Sequence, residues 1–256
     1  MVDSFRSRPT MPRIALLSDI HGNLEALVAA LRSVAQASPD LVICLGDVVG
    51  YGPDPVQCVE IIQQACNAIV VGNHDEAVLF DEDPPGFNDA ATASIQYCRS
   101  RLGAAHMQTI TAWPLRDDMA DLAVTHGSFG RRRYSYVTTP RVAMDAFTGF
   151  VGHYGAIGHT HIPAVFVQPL DGGEVRWVQP PAEAVLRLPP EARIIVNPGS
   201  IGQPRDGNPD ASWGLLDTDE RTFQVRRVPY DIDLVHRKIA QAGLPPMLGE
   251  RLRIGA

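Results

Sequence analysis

The 256-residue sequence has four cysteines, Cys44, Cys58, Cys66 and Cys98, and no C-x-x-C pair. That sparseness excludes a disulfide framework. The apolar run around Cys44 and the helical spacing of Cys58 and Cys66 predict buried free thiols in a reducing cytoplasm. No run approaches the roughly 18 apolar residues that cross a bilayer. The first 13 residues carry Arg6, Arg8 and Arg13 but lack the apolar stretch and cleavage site of a secretory signal. A basic surplus is also missing. With 22 Lys and Arg against 29 Asp and Glu, the formal charge is −7, which argues against a membrane surface or a stable nucleic-acid complex as partner. A small nucleotide stays admissible, because a bound metal reverses the local field. Internal repeats, low-complexity tracts and linkers are absent. With 45% hydrophobic and 20% charged residues, the composition is that of a folded protein rather than a disordered one. The expectation is a flexible tail over residues 1–12, with Met11 an alternative start, and a single domain over 13–256. The oligomeric state is not legible.

β-Branched runs alternate with helical patterns. Ile14–Leu17, Leu41–Leu45 and Ala68–Val71 read as strands, separated by helices at Leu24–Val34 and Val56–Ala65. This order predicts parallel strands joined by right-handed crossovers. A Pro84-Pro85-Gly86 break precedes helices at Asp89–Leu102, with Asn88 or Asp89 as cap, and at Ala104–Ala112. Leu122–Val124 resumes a strand and Pro140–Phe147 a short helix. The last third reads as strands at 156–157, 164–168, 174–178, 193–196, 213–216 and 223–227, with an Asp171-Gly172-Gly173 hairpin turn. A helix capped by Asp231 follows.

The informative residues stand where the strands end. Ser18-Asp19-Ile20-His21-Gly22-Asn23, Gly46-Asp47, Gly72-Asn73-His74-Asp75, Thr125-His126-Gly127 and Gly158-His159-Thr160-His161 each follow a strand. Asp, His and Asn are ligands for divalent cations, and ligands of open α/β sheets bind beyond the carboxyl ends of strands. Five of the eight histidines fall in these segments. The adjoining glycines allow tight turns and close backbone approach. Asp19/His21 and His159/His161 are each spaced by two, which in extended backbone puts both side chains on one face, so each pair is expected to chelate together. Taken singly, each has a plainer role: Asp19 or Asn23 as a helix cap, Asp47 as a turn cap, the histidines as loop residues. Five such ends converging point to a metal site.

In this order the motifs resemble the calcineurin-like metallophosphoesterase family, and Asn197-Pro198-Gly199-Ser200 is similar to a segment of its small bacterial phosphodiesterase branch. The resemblance implies an α/β fold, a four-layer sandwich of two mixed β-sheets flanked by helices. It also implies two divalent metal ions (Mn²⁺, Fe²⁺ or Fe³⁺, Ni²⁺, Zn²⁺ or Mg²⁺). Asp19, His21 and His161 would bind one and Asn73, His126 and His159 the other, with Asp47 bridging. The implied reaction is phosphodiester hydrolysis by a metal-bridging hydroxide, with His74 as general acid and Asp75 orienting its ring.

The phosphoprotein phosphatase branch carries an Arg soon after Gly-Asp and a Glu after Gly-Asn-His. Here the residues are Val48-Val49-Gly50-Tyr51-Gly52-Pro53 and Asp75. Loss of a bidentate grip on a dianion favours a diester or small nucleotide-type substrate, with phosphomonoesters, dinucleoside polyphosphates and phosphoproteins as alternatives. A non-catalytic metal-binding interaction scaffold is the alternative of another class. Tyr51 is a candidate for stacking on substrate. Arg205 is a candidate for phosphate binding or a salt bridge. Arg131-Arg132-Arg133 reads more simply as a solvated basic loop.

Overall fold

Side chains alternate along the first strand, β1 (Arg13–Leu17): Ile14 and Leu16 join one apolar cluster, Ala15 and Leu17 another. Burial on both faces is the signature of a strand inside a layered fold. The computed structural model describes residues 13–82 and 86–256; the expected N-terminal tail and the Pro84-Pro85 part of the predicted break lie outside them.

Among the described residues there are two six-stranded sheets. In the first, β1 pairs in parallel with β2 (Leu41–Cys44), and β2 with β3 (Ala68–Ile69). On the other side of β1, β11 (Ala211–Asp217), β12 (Thr222–Val228) and β9 (Val185–Arg187) continue antiparallel. The second sheet runs β4 (Arg116–Met119), β5 (Leu122–Thr125), β6 (Tyr154–Ala156), β10 (Ala192–Asn197), β7 (Ala164–Pro169) and β8 (Arg176–Val178). Its β5–β6 and β6–β10 pairs are parallel, the others antiparallel. Both sheets are therefore mixed, as expected.

Leu16, Ile43, Val124, Val165, Ile194 and Phe223 fill the space between the sheets. The outer face of the first sheet packs on α1 (Leu24–Ala37), α2 (Pro55–Ala65), α4 (Asp89–Arg101) and α5 (Ala104–Thr111). The outer face of the second packs on α6 (Pro140–Thr148), through Ala143, Ala146 and Phe147. Helix, sheet, sheet and helix make four layers. Asn23, not Asp19, caps α1, its Oδ1 accepting from Ala26 N at 3.1 Å. Asn88 and Asp231 cap α4 and α7 (Ile232–Gln241) in the same way.

Several elements differ from expectation. α3 (Asn73–Ala77) is a five-residue helix inside the Gly-Asn-His-Asp segment, too short to show a period. β4 reads Arg-Asp-Asp-Met and β9 Val-Leu-Arg, edge or near-edge pieces whose polarity and exposure hide them. The 171–173 turn does join β7 to β8, with Gly172 at φ +82°. Cys44, Cys58 and Cys98 are buried free thiols and Cys66 is half-buried. No helix among the described residues is long and apolar enough to cross a membrane.

Candidate metal centre

The loops after β1, β2, β5 and β6 and the start of α3 meet at one end of the two sheets, and the loop after β1 is zipped to the loop after β2. Asp19 N donates to Gly46 O (3.0 Å), His21 N to Asp47 O (2.9 Å) and Gly22 N to Val48 O (2.9 Å). Ten non-glycine residues among those described have positive φ, and six of them are Asp19, His21, Asp47, Tyr51, His159 and His161. Left-handed backbone costs such residues roughly 1 kcal/mol each, tolerated where the surroundings enforce it. Contrary to the expectation from their spacing, neither i, i+2 pair is extended. Tight turns aim the side chains, and they divide His159 from His161. Asp19, His21 and His161 form one cluster, Asp47, His126 and His159 another, while His21, Asp47 and His74 form a third; within each cluster the ligating atoms lie within 4.8 Å of one another.

Each carboxylate keeps one oxygen for the protein and turns the other inward. Asp19 Oδ2 accepts from Ser18 Oγ (2.6 Å) and His159 N (3.0 Å). Its buried Oδ1 has no hydrogen-bond partner and stands 3.2 Å from His161 Nε2. Asp47 Oδ1 accepts from His74 N (2.8 Å), whereas Oδ2 stands 3.1 Å from His126 Nε2 without hydrogen-bonding geometry. Two glycines permit this. A Cβ on Gly72 would meet Asp47 Oδ1 at 2.1 Å, and one on Gly158 would meet Ser18 Oγ at 1.8 Å.

The imidazoles are set by backbone carbonyls. Nδ1 of His21, His126 and His161 faces Val49 O (3.0 Å), Leu45 O (2.7 Å) and Gln203 O (2.6 Å). A carbonyl only accepts, so each Nδ1 carries the proton and each Nε2 presents a lone pair inward. His159 is reversed: its Nε2 faces Tyr134 O at 3.1 Å, leaving Nδ1 as the free donor atom. His21 Nε2 and His161 Nε2 are then two lone pairs 3.1 Å apart. A cation is the group that turns this repulsion into attraction. Asn73 Oδ1 is buried with no hydrogen-bond partner, as an amide ligand atom would be. The donor set fits divalent metal.

Burial alone would raise both carboxyls, but His161 beside Asp19 and His126 beside Asp47 outweigh it and hold them below the usual carboxylate range. Burial lowers His21, His159 and His161, His159 to about 3. Burial works the same way on His126, yet Asp47, Asp19 and the Leu45 carbonyl overcome it and leave His126 at about 9, so at neutral pH its Nε2 holds a second proton toward Asp47, which a cation would displace to reach the lone pair.

His74 lies beside the cluster, its ring packed against Tyr51 (4.6 Å), Phe87 (4.6 Å) and His21 (4.8 Å). Its Nδ1 is buried without a partner. Asp75 does not orient that ring, contrary to expectation. Its Oδ1 accepts from Val48 N (2.9 Å) and Val49 N (3.1 Å), and its Oδ2 from Gly72 N (3.0 Å). Asp75 thus ties the loop after β2 to the start of α3. Burial first, then Asp47, raises its carboxyl to about 7.

Tyr51 lies over both His21 (4.6 Å) and His74. The Arg205 guanidinium stands 5.8 Å over the Tyr51 ring, with Nη2 donating to Gln203 Oε1 (2.8 Å) and Nε buried without a partner. The salt bridge in this stretch belongs to the next residue, Asp206, which pairs with Arg227. Sequence reasoning missed Ser18 and the supporting role of the 197–200 segment. Asn197 Nδ2 donates to Gly158 O (2.7 Å) and Thr160 Oγ1 (3.0 Å), and Ser200 Oγ to Asp19 O (2.8 Å). His106 and His153 lie outside, against Glu60 and Asp121.

Known proteins resemble this chain in sequence and in fold. Residues 12–221 match the model of the calcineurin-like phosphoesterase superfamily domain. An uncharacterized protein of Methanocaldococcus jannaschii is 34% identical over 94% of this chain and 98% of its own. The phosphodiesterase YfcE of Escherichia coli K12 is 26% identical over 82% of this chain and 89% of its own. The crystal structure of a metallophosphoesterase from Sphaerobacter thermophilus superposes with a TM-score of 0.84 at 34% identity, covering 96% of this chain and 99% of that one.

Proposed function

Because the chain belongs to the calcineurin-like phosphoesterase superfamily, we propose that it is a dinuclear metal-dependent phosphodiesterase with residues 13–256 as its catalytic domain. Asp19, His21 and His161 would hold one divalent cation, Asn73, His126 and His159 the other, and Asp47 both. The observation that carries this reading is the set of inward lone pairs, above all the 3.1 Å approach of His21 Nε2 to His161 Nε2. Bound cations supply Lewis-acid neutralisation of phosphoryl charge and a water of lowered pKa. Mn²⁺, Fe and Ni²⁺ suit the mixed nitrogen and oxygen set.

His74 is the proton donor to the leaving alkoxide. Burial, with His161, His126 and Arg205 nearby, holds it down to about 4. A phosphoryl anion in contact works in the opposite direction and favours the imidazolium. Tyr51 and Arg205 contact the non-reacting part of the substrate. The loop from Val48 to Asp54 has no basic residue, so the turn after Asp47 offers no guanidinium to a monoester dianion. The relative named a phosphodiesterase supports the same class.

The test compares bis(p-nitrophenyl) phosphate with p-nitrophenyl phosphate, which share a leaving group, at one metal loading and pH. The diester should be cleaved faster; a monoester preference of about tenfold, about 1.4 kcal/mol in the barrier, overturns the assignment. Metal bound with no turnover of either would return the scaffold alternative. Asp47→Asn should lose metal and activity together. His74→Ala should keep its metal and lose roughly 10²–10⁴ in turnover; an emptied site would make His74 a ligand.

A further inference from the structure

Asn73, His126 and His159 come from three separate segments, at the start of α3 and in the loops after β5 and β6. A single loop, residues 128–136, meets the surroundings of all three. It begins just after His126. A Cβ on Gly127, the next residue, would meet Arg133 O at 2.2 Å and Tyr134 Cα at 2.9 Å, so glycine lets the loop fold back onto the strand end. Ser128 N donates to Arg133 O (2.6 Å), closing the loop on itself, and Arg131 N donates to Asp145 Oδ2 (3.0 Å), tying it to α6.

At Tyr134 the loop reaches His159. Tyr134 O accepts from His159 Nε2 (3.1 Å), and Tyr136 stacks on the same ring at 4.2 Å and 22°. One imidazole is therefore held at its edge and on its face. With Nε2 taken, Nδ1 is the atom left for the cluster with Asp47 and His126. The same stretch is pinned from the first sheet's side. The Tyr134 hydroxyl donates to Glu76 Oε2, and Arg133 Nη2 pairs with that oxygen at 3.0 Å. The Arg133 guanidinium also lies 4.8 Å over the Tyr134 ring. Contrary to the expectation of a solvated basic loop, Arg133 is thus engaged. Glu76 belongs to none of the ligating clusters, yet it stands on α3, three residues after Asn73.

We propose that Glu76 is a positioning residue for the cation held by Asn73, His126 and His159: through Tyr134 it fixes the His159 ring and couples that ring to the helix of Asn73. This rests on the dinuclear reading of the centre. An imidazole free to turn about its Cβ–Cγ bond presents the wrong nitrogen part of the time, and a partner that stops the turning raises metal affinity.

The test is calorimetric titration of the metal-stripped full chain with Mn²⁺. The wild type should take up two ions. In Glu76→Ala and in Tyr134→Phe one binding step should weaken by roughly 10–100-fold, the usual effect of losing a partner that orients a metal-binding histidine. The other step should stay at the wild-type level. Glu76→Gln still offers an oxygen to the Tyr134 hydroxyl and should recover part of the loss. Histidine ¹⁵N spectra of the metal-free protein give a second reading. The His159 ring should be protonated at Nε2 and protected from exchange in the wild type, and should lose that protection in Glu76→Ala. The proposal is overturned if both steps weaken alike, if neither weakens, or if the His159 signal is unchanged in the variant. A wild type that takes up fewer than two ions overturns the dinuclear reading itself, and this proposal with it.

Discussion

Asp75→Asn offers a sharp test of how the site is held, because the change is nearly isosteric and its cost can be counted. The carboxylate accepts three backbone amides, from Val48 and Val49 on one oxygen and from Gly72 on the other. An asparagine oxygen can keep the first two. Its NH₂ then faces the Gly72 N–H, donor against donor. The loss of one charge-assisted hydrogen bond costs about 1.5–3 kcal/mol, and the stranded buried donor about 1–3 kcal/mol more. Relief of repulsion from Asp47, one cause of the raised Asp75 pKa, gives some of this back. A net loss of about 3 kcal/mol corresponds to a fall in Tm of roughly 6–12 °C for a chain of this size. The same change frees Gly72 to move against Asp47 Oδ1, so metal should bind more weakly while the far-UV spectrum is kept. Urea unfolding and metal titration of the purified variant measure both effects. Wild-type stability together with wild-type metal affinity would refute the assigned role. A selective loss of kcat, with stability and metal intact, would return Asp75 to a catalytic role through His74.

Gly158→Ala should displace the Asp19 carboxylate, since the new Cβ would lie 2.7 Å from Asp19 Oδ2; elemental analysis should show metal loss, and full occupancy would contradict the packing argument. Phe147→Ala, at 1% exposure on the buried face of α6, should cost about 3–5 kcal/mol in urea unfolding and leave metal content unchanged. Burial raises all four thiols, Cys66 and Cys98 to about 12. A thiol reagent at pH 8 should therefore label at most Cys66 rapidly in the native protein and all four in denaturant; fast native labelling of a second cysteine would contradict the buried core.

The polar strand ends were legible because a β-strand announces itself by apolar content and the residues after it stand out. Asp19, His21, Asp47, His74, His126, His159 and His161 were all marked that way, and the structure brings them to one end of the two sheets. The long helices and their caps at Asn23, Asn88 and Asp231 were legible too, because capping is local chemistry. What surrounds the ligand atoms was not. The groups that set three imidazoles are the carbonyls of Val49, Leu45 and Gln203, and a backbone acceptor leaves no mark in a side-chain pattern. Extended spacing joined His159 to His161, but left-handed turns at both send them to different carboxylates. Asp75 stands next to His74 in the chain, yet its oxygens are taken by amides 26, 27 and 3 residues away. Arg205 comes to Tyr51 only because the turn after β10 folds back under the site. Which residue types gather, and at which ends of the strands, can be read along the chain. Which atom of each points inward cannot, because that choice depends on hydrogen bonds between segments far apart in the chain.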